Sequence, residues 1–215
     1  MEVENASPER NTMRATTLLL LALVLVASAT DVIIQPDAAV GKDTYAYSYY
    51  PDDNYGGRDD MHWGCGTTAA WATFIEFTGL NDSQYQGATV NSAALYLNIY
   101  AFGSGGQFRL GACSSHWEEY TLTWNTMPPV HESYVSDYPT TTGWLVLDVT
   151  SYVQNWLDGT WDNQGFALYD NDGDEFASAR TSDYTDDPSL CPKLVLDYSG
   201  AAVEEATWGE IKAAF

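Results

Sequence analysis

Along most of the chain, apolar and polar positions alternate with a period of two, which is the pattern of β-strands that bury one face. In residues 90–102, Leu95, Leu97 and Ile99 fall on one face, whereas Tyr96 and Asn98 fall on the other. Comparable runs occupy residues 43–50, 69–78, 107–113, 121–127, 144–149, 165–170, 175–180 and 193–199. Short strands separated by Gly, Pro, Asn and Asp predict an all-β fold, a β-sandwich of jelly-roll type.

One segment between the late strands has helical periodicity instead. The stretch at residues 148–159 predicts a short helix with Thr150 as its N-cap and with Val153, Trp156 and Leu157 on its apolar face. Gly159 follows directly and is expected to end this helix.

The C-terminal residues predict a second short helix. Trp208, Ile211 and Phe215 recur at helical spacing within residues 201–215, so we expect an amphipathic tail over residues 200–215. Such a tail either docks on the sandwich or serves as an attachment signal.

The N-terminal 29 residues have the layout of a secretory signal peptide. An apolar run from Leu18 to Val26 follows a single arginine and precedes small residues that favour cleavage after Ala29. Met13 is an alternative true start, and an uncleaved anchor is the alternative to cleavage. The apolar run is shorter than the roughly 20 residues of a membrane span. We therefore expect a secreted, extracellular or cell-surface protein whose mature chain has no transmembrane span. It would begin with a linker over residues 30–42, followed by one sandwich domain over residues 43–199.

The charge of the chain narrows the range of partners. Its 30 acidic and 8 basic side chains give a formal net charge of −22. A field of that sign repels nucleic acid and anionic membrane surfaces, so we expect no nucleic-acid partner. It is compatible with divalent cations, neutral glycans or a salty medium.

The three cysteines, Cys65, Cys113 and Cys191, allow one disulfide in an exported protein, and the sequence does not choose among the three pairings. They form no CxxC motif, which argues against a zinc or thioredoxin-type site.

Five motifs occur in a characteristic order. They are D-T-Y with a following N-Y-G loop in residues 43–56, G-A-T-V-N-S-A in 87–93, W-E-E-Y-T-L-T-W-N-T-M-P in 117–128, D-V-T-S-Y-V-Q-N-W with N-Q-G-F in 148–166, and P-K-L-V-L-D-Y in 192–198. Together they resemble the disaggregatase-related DNRLRE-domain family, also described as carbohydrate-binding module family 96.

The resemblance implies a secreted or cell-surface jelly roll without catalytic activity, some of whose relatives bind alginate or other polysaccharides. The expected partner is therefore a polysaccharide or a cell-surface glycan. Because the chain is strongly acidic, neutral glycans fit better than a polyanion unless bound cations bridge the two. The alternative is a structural or adhesive protein that associates with itself and binds no sugar.

Aromatic rings in or beside loops are the natural platforms for sugars, because the C–H faces of a sugar pack on π-faces. Arginines in strands can reach sugar hydroxyls with two hydrogen bonds. Trp124 and Trp156 are expected in the core instead, and any single loop aromatic can also be packed under its loop. The candidate carbohydrate contacts are Tyr49, Tyr50, Arg58, Trp63, Arg109, Trp117, Trp161 and Arg180.

Calcium is the one cofactor for which the sequence offers a candidate site. Asp170, Asp172, Asp174 and Glu175 concentrate hard oxygen ligands in one loop, although their spacing is not that of an EF-hand. The alternative is a solvated turn, which Asn, Asp and Gly favour for backbone reasons. The carboxylates of the first loop, residues 49–60, are a second candidate cation site, but Asn54 and Gly56 favour a turn there.

The sequence gives little support for catalysis. The three histidines lack the spacing of a zinc site, and neighbouring carboxylates mean little in so acidic a chain. A polysaccharide lyase using His116, Tyr120 and Arg109 is the alternative. We expect a protein that is not an enzyme.

Overall fold

The computed structural model describes residues 30–103, 105–170, 173 and 175–200. Eleven strands and one α-helix are found there: β1 (Thr30–Ile34), β2 (Lys42–Tyr47), β3 (Asp60–Cys65), β4 (Ala70–Glu76), β5 (Thr89–Phe102), β6 (Gln107–Cys113), β7 (Val130–Asp137), β8 (Gly143–Asp148), α1 (Thr150–Leu157), β9 (Phe166–Tyr169), β10 (Phe176–Arg180) and β11 (Lys193–Ser199). The predicted all-β fold, with one short helix between late strands, is confirmed.

The strands form one curled antiparallel sheet. Its order is β1-β11-β5-β10-β3-β4-β9-β6-β7, with β2 beside β4 and β8 beside β5. The long strand β5 pairs with β11 along its first part and with β10 along its last part, while β8 pairs along its other edge. The curl gives this sheet the two facing halves of a jelly-roll type sandwich.

The core lies between the two halves of this curled sheet. Leu95 and Leu97 of β5 are fully buried and belong to one apolar cluster with Phe108 of β6 and Phe166 of β9. The alternation that predicted the inner face of β5 is therefore confirmed.

A long loop, residues 114–129, covers the outer face of the β2-β4-β9-β6 half, and we call it the covering loop. Trp117 and Leu122 of this loop are buried against Phe74 of β4 in a second apolar cluster, and Trp124 is partly buried beside them. The prediction of a strand over residues 121–127 is wrong. This segment contains a single 3-10 turn at Trp124–Thr126, and it pairs with no strand because its apolar side chains already cover a sheet face.

Residues 30–42 contain a strand rather than only a linker. β1 pairs with β11, from Thr30 opposite Tyr198 to Ile34 opposite Leu194. Val32 and Ile34 pack against the main core, which explains why this short alternating run is ordered as a strand.

The helix α1 starts one position earlier than predicted. Thr150 is its first residue rather than its cap, and Asp148 Oδ1 accepts hydrogen bonds from Thr150 N at 2.9 Å and from Thr150 Oγ1 at 2.6 Å. The predicted stop is confirmed, since Gly159 has a φ of 75° and donates to Trp156 O.

The predicted signal peptide (1–29) and tail helix (201–215) lie outside the described residues. No disulfide links Cys65, Cys113 and Cys191. In the part of the chain that the structure describes, no helix has the length and apolar character needed to cross a membrane.

Candidate functional site

An aromatic cleft lies where β2 and the first loop meet β3, β4 and β10. Alternation along β2 points Tyr45 and Tyr47 to the same side, and the register with β4 places Trp71 opposite Tyr47. The cleft has a volume of about 530 Å³ and is lined by Tyr45, Tyr47, Tyr50, Tyr55, His62, Trp71, Phe176 and Ser178. We call this site the aromatic cleft.

Two parallel rings form one wall of the aromatic cleft. The ring centroids of Tyr47 and Trp71 lie 5.0 Å apart, with 5° between their planes. Tyr49 and Tyr50, from the first loop, both contact the Tyr47 ring, with centroid distances of 6.1 and 5.7 Å. Tyr49 is 60% exposed and Tyr50 51%, so this end of the cleft presents aromatic surface to solvent.

The floor of the aromatic cleft is a second stack. Tyr55 of the first loop stacks on Tyr45 of β2, with 4.4 Å between centroids and 17° between planes. His62 of β3 meets the Tyr45 ring edge-on at 4.8 Å, and its Nδ1 shares a 2.7 Å hydrogen bond with Ser178 Oγ.

The titratable groups of the floor are neutral near pH 7. Burial, helped by the nearby Asp60 carboxylate, raises the pKa of Tyr45 to about 12. Burial also lowers the pKa of His62, although Asp60 opposes this shift. The floor is thus an uncharged surface of rings with a few hydrogen-bonding groups.

Charged groups gather at one edge of this floor. Asp60 accepts a hydrogen bond from Tyr100 Oη at 3.0 Å and pairs with Arg58 Nε at 3.3 Å. The Arg180 guanidinium lies between two rings, 4.3 Å from the centroid of Tyr100 and 4.0 Å from that of Tyr184. Both arginines therefore have partners within the protein.

The first loop is held in place by the covering loop. Asn54 Nδ2 donates to Glu119 O at 2.7 Å and to Leu122 O at 2.8 Å, and Asn54 Oδ1 accepts from Gly56 N. A Cβ at Gly56 would lie 2.5 Å from Glu119 O, so only glycine fits there. The N-Y-G motif thereby brings Tyr55 onto the cleft floor.

Four of the eight predicted sugar contacts lie at or beside the aromatic cleft. Tyr50 lines it, Tyr49 packs on its wall, and Arg58 and Arg180 reach its charged edge through Asp60 and Tyr100.

Two predicted contacts need correction, because both are buried. Trp63 is fully buried and packs against Phe108, since alternation on β3 turns it inward while His62 faces the cleft. Trp117 is only 4% exposed and donates from its indole to Gln164 O at 2.8 Å. Both tryptophans belong to the core rather than to an exposed surface.

The last two predicted contacts lie elsewhere. Trp161 is half-buried and stacks on His131, with 4.4 Å between ring centroids. Arg109 of β6 lines a separate depression together with Val135 and Asp170.

Sequence reasoning missed the residues that form most of the aromatic cleft. The sequence pattern assigns Tyr45, Tyr47 and Trp71 only to strands, and it does not mark Tyr55 or His62 as ligand contacts. A usable signal was present, because the tyrosines at alternate positions 45, 47 and 49 must share one face of an extended segment.

The predicted calcium loop is only partly described. Asp170 is buried and accepts a 3.3 Å hydrogen bond from Tyr138 Oη, while Asp172 and Asp174 lie outside the described residues. Calcium binding by these residues and Glu175 therefore stays a prediction. Among the described residues, one other group could hold a metal: Asp43, Glu119 and Asp183.

The residues of the lyase alternative do not line the aromatic cleft. His116 Nε2 contacts Glu118 Oε1 at 2.6 Å on an exposed stretch, and Tyr120 lies beside Gly57. Arg109 lines the depression with Asp170 described above.

The fold and the aromatic cleft define a class: an all-β module of jelly-roll type with a cleft lined by aromatic rings. Residues 36–196 match carbohydrate-binding module family 96, so the chain belongs to this family, and it is a carbohydrate-binding module. This family consists of non-catalytic binding modules.

Comparison with other proteins adds no finer assignment. None of the curated proteins matches the chain. Among solved structures, a cowpea mosaic virus top component (naturally occurring empty particles) is 10% identical, with 80% of this chain and 82% of that chain covered and a TM-score of 0.20. An empty virus-like particle of cowpea mosaic virus is 9% identical over 97% and 99% of the two chains, also at 0.20. Scores this low carry no argument.

Proposed function

We propose that this protein is a secreted module that holds a polysaccharide in the aromatic cleft, outside the cell or at the cell surface. The observation that carries the proposal is the pair of parallel rings, Tyr47 and Trp71, continued by the exposed rings of Tyr49 and Tyr50. Sugar rings bury their C–H faces on such surfaces. The cleft volume of about 530 Å³ lies within the range of ordinary ligand sites, about 300–1,000 Å³.

The hydrogen-bonding groups of the cleft suit sugar hydroxyls. The His62–Ser178 pair on the floor offers a donor and an acceptor, and the phenols of Tyr50 and Tyr55 can do both. None of these groups needs a charged ligand to be satisfied.

The charges around the cleft favour a neutral glycan. Asp52, Asp53 and Asp59 lie in the first loop, and Arg58 already pairs with Asp60. A polyuronate brought to this edge would meet like charge, which costs binding energy at moderate ionic strength. We therefore place neutral polysaccharides ahead of alginate.

Affinity electrophoresis of the wild-type protein against neutral and uronic polysaccharides tests the proposal. Tyr50→Ala removes an exposed cleft ring and Trp71→Ala removes half of the parallel wall. Trp144→Ala is the matched control, because Trp144 is an exposed tryptophan of β8 that does not line the cleft.

Each aromatic contact contributes about 0.5–1.5 kcal/mol beyond area burial, so Tyr50→Ala should weaken retention roughly 2- to 12-fold. We expect a larger loss for Trp71→Ala and none for the control. Failure of the wild type to bind any of the polysaccharides would overturn the proposal, as would equal losses in Trp71→Ala and Trp144→Ala.

A second candidate function, self-association of an adhesive surface protein, is favoured by apolar side chains on two edge strands. Val146 of β8 and Val135 of β7 are 49% and 47% exposed, and Trp144 is 39% exposed. Exposed apolar edges are sites of strand pairing between molecules. Light scattering coupled to size exclusion tests this function: a dimer that Val146→Lys dissociates supports it, and a monomer at high concentration rejects it.

A further inference from the structure

Three carboxylates from distant parts of the chain lie close together in the fold. Asp43 lies in β2, Glu119 in the covering loop, and Asp183 just after β10. One oxygen from each residue lies within 4.8 Å of the other two. We call this group the carboxylate cluster.

The carboxylate cluster contains buried oxygens without partners. Asp43 is only 2% exposed; its Oδ2 accepts from Ser182 N at 2.9 Å, but its Oδ1 has no hydrogen-bond partner. Asp183 Oδ2 is also buried without a partner. Each unpartnered buried acceptor costs on the order of 1–3 kcal/mol, and more when charged, so two of them together need an explanation.

No cation of the described residues compensates this charge by direct contact. Lys42 is adjacent in sequence, but its Nζ pairs with Glu76 Oε2 at 2.7 Å and lies over the Trp117 ring. Arg58 pairs with Asp60. The buried oxygens of the carboxylate cluster therefore have no positively charged partner among the described residues.

The geometry of the cluster suits calcium. Ca–O distances are about 2.3–2.6 Å, so oxygens on opposite sides of one ion lie about 5 Å apart, and the 4.8 Å limit of the cluster agrees with this. Mg²⁺ would need a tighter octahedron, with distances of about 2.0–2.1 Å. The ligand atoms are all carboxylate oxygens, which favour a hard cation over zinc or copper.

We propose that Asp43, Glu119 and Asp183 form a calcium site that joins β2, the covering loop and the segment after β10. This site differs from the loop at residues 170–175 in every ligand. Bound Ca²⁺ supplies the missing partner of Asp43 Oδ1 and Asp183 Oδ2 and offsets the repulsion among the three carboxylates.

The calcium site also bears on the first loop. The backbone carbonyl of Glu119, whose side chain is a ligand, accepts the hydrogen bond of Asn54, and Gly56 packs against that same carbonyl. An ion that fixes Glu119 therefore fixes the segment that carries Tyr55 to the cleft floor. This consequence for glycan affinity rests on the function proposed above, whereas the calcium site itself does not.

Titration of the metal-free full chain with CaCl₂ by isothermal calorimetry, with thermal unfolding in EDTA or calcium beside it, tests the site. We expect the carboxylate cluster to bind one ion per chain, with a rise in Tm of about 5–10 °C at a free calcium concentration 100 times Kd. Asp183→Asn should weaken calcium binding at least tenfold, and Glu119→Gln should do the same.

The matched control is Asp186→Asn, an exposed carboxylate three residues from Asp183 that should bind calcium as the wild type does. No heat and no Tm shift in the wild type would overturn the site, as would equal affinities of Asp183→Asn and Asp186→Asn. Because Asp183 is only half-buried, its variant keeps the test open even if Asp43 variants misfold.

Glycan retention measured with calcium and with EDTA then separates the two proposals. Calcium binding without retention on any glycan rejects the proposed function and leaves the metal site standing. Retention that EDTA does not change rejects the coupling between the ion and the first loop.

Discussion

Replacing Asp43 by asparagine should abolish the pH dependence of stability that this buried carboxylate imposes on the metal-free protein. Burial, the largest cause, raises the pKa of Asp43 from 3.8 to about 7, while the hydrogen bonds from Ser182 act against the shift. A group whose pKa is higher in the folded state contributes full stability below its unfolded pKa. That contribution is lost as the pH rises through the folded pKa. The metal-free wild type should therefore lose stability between about pH 4 and pH 7.

The size of this loss follows from the shift. About three pKa units, at 1.36 kcal/mol each, amount to roughly 4 kcal/mol for Asp43 at pH 8. Glu119 and Asp183 face Asp43 and have pKa values raised chiefly by burial, while Lys42 opposes the shift of Glu119 and Asp59 adds to that of Asp183. These groups are present in wild type and variant alike, so the difference between the two proteins isolates Asp43.

Urea unfolding in EDTA, followed by tryptophan fluorescence at pH 4, 6 and 8, measures this difference. Asp43→Asn is neutral throughout and resembles protonated Asp43, so it should equal the wild type near pH 4 and exceed it by up to about 4 kcal/mol at pH 8. Asp186→Asn, an exposed change of the same kind, should show no such trend. A difference between Asp43→Asn and wild type that stays constant with pH, or grows toward acid, would refute the reasoning. With excess calcium, the order at pH 8 should invert, because only the wild type keeps all three ligands.

Three further outcomes follow from local geometry. Gly165→Ala should destabilise the fold by about 2–3 kcal/mol or more in urea unfolding, because φ is 78° and a Cβ would lie 2.3 Å from a backbone oxygen of β4. The matched control is Gly87→Ala, where φ is 74° but the space around the glycine is open. This control should lower the free energy of unfolding by only about 1 kcal/mol. Asp148→Ala should cost about 0.5–2 kcal/mol, since it removes the acceptor at the start of α1, and equal stability by circular dichroism would contradict this. Cys113 and Cys191 are buried, and burial raises the pKa of Cys113 to about 12, so neither thiol should react with a thiol reagent before unfolding, as mass spectrometry can check.

The parts of the fold that could be predicted from sequence depend on short-range periodicity. Alternation along β5 places Leu95 and Leu97 inside, and Gly159 ends α1 because its positive φ is a local requirement. The covering loop shows the limit of this reasoning. Residues 121–127 alternate like a strand, but they cover a sheet face instead of pairing along an edge.

The candidate site was harder to predict because its parts are distant in sequence. Tyr47 and Trp71 become neighbours only through the register of β2 and β4, and neither residue alone indicates a cleft. The prediction of an exposed Trp63 is wrong because the sequence of a short strand does not reveal which of its two faces points inward. The carboxylate cluster draws on residues 43, 119 and 183, so only the folded chain brings it together.

The pairing of β1 with β11 has a consequence for how the module can be built into larger proteins. Thr30 and Tyr198 lie opposite each other, so the first and last strands enter and leave the sandwich at one edge. Domains whose ends are adjacent tolerate insertion into another polypeptide and circular permutation. Copies of the module could thus be joined in series, or one copy inserted into a loop of a host enzyme. In both cases the connections would be made at that edge and would leave the core between β5 and β6 undisturbed.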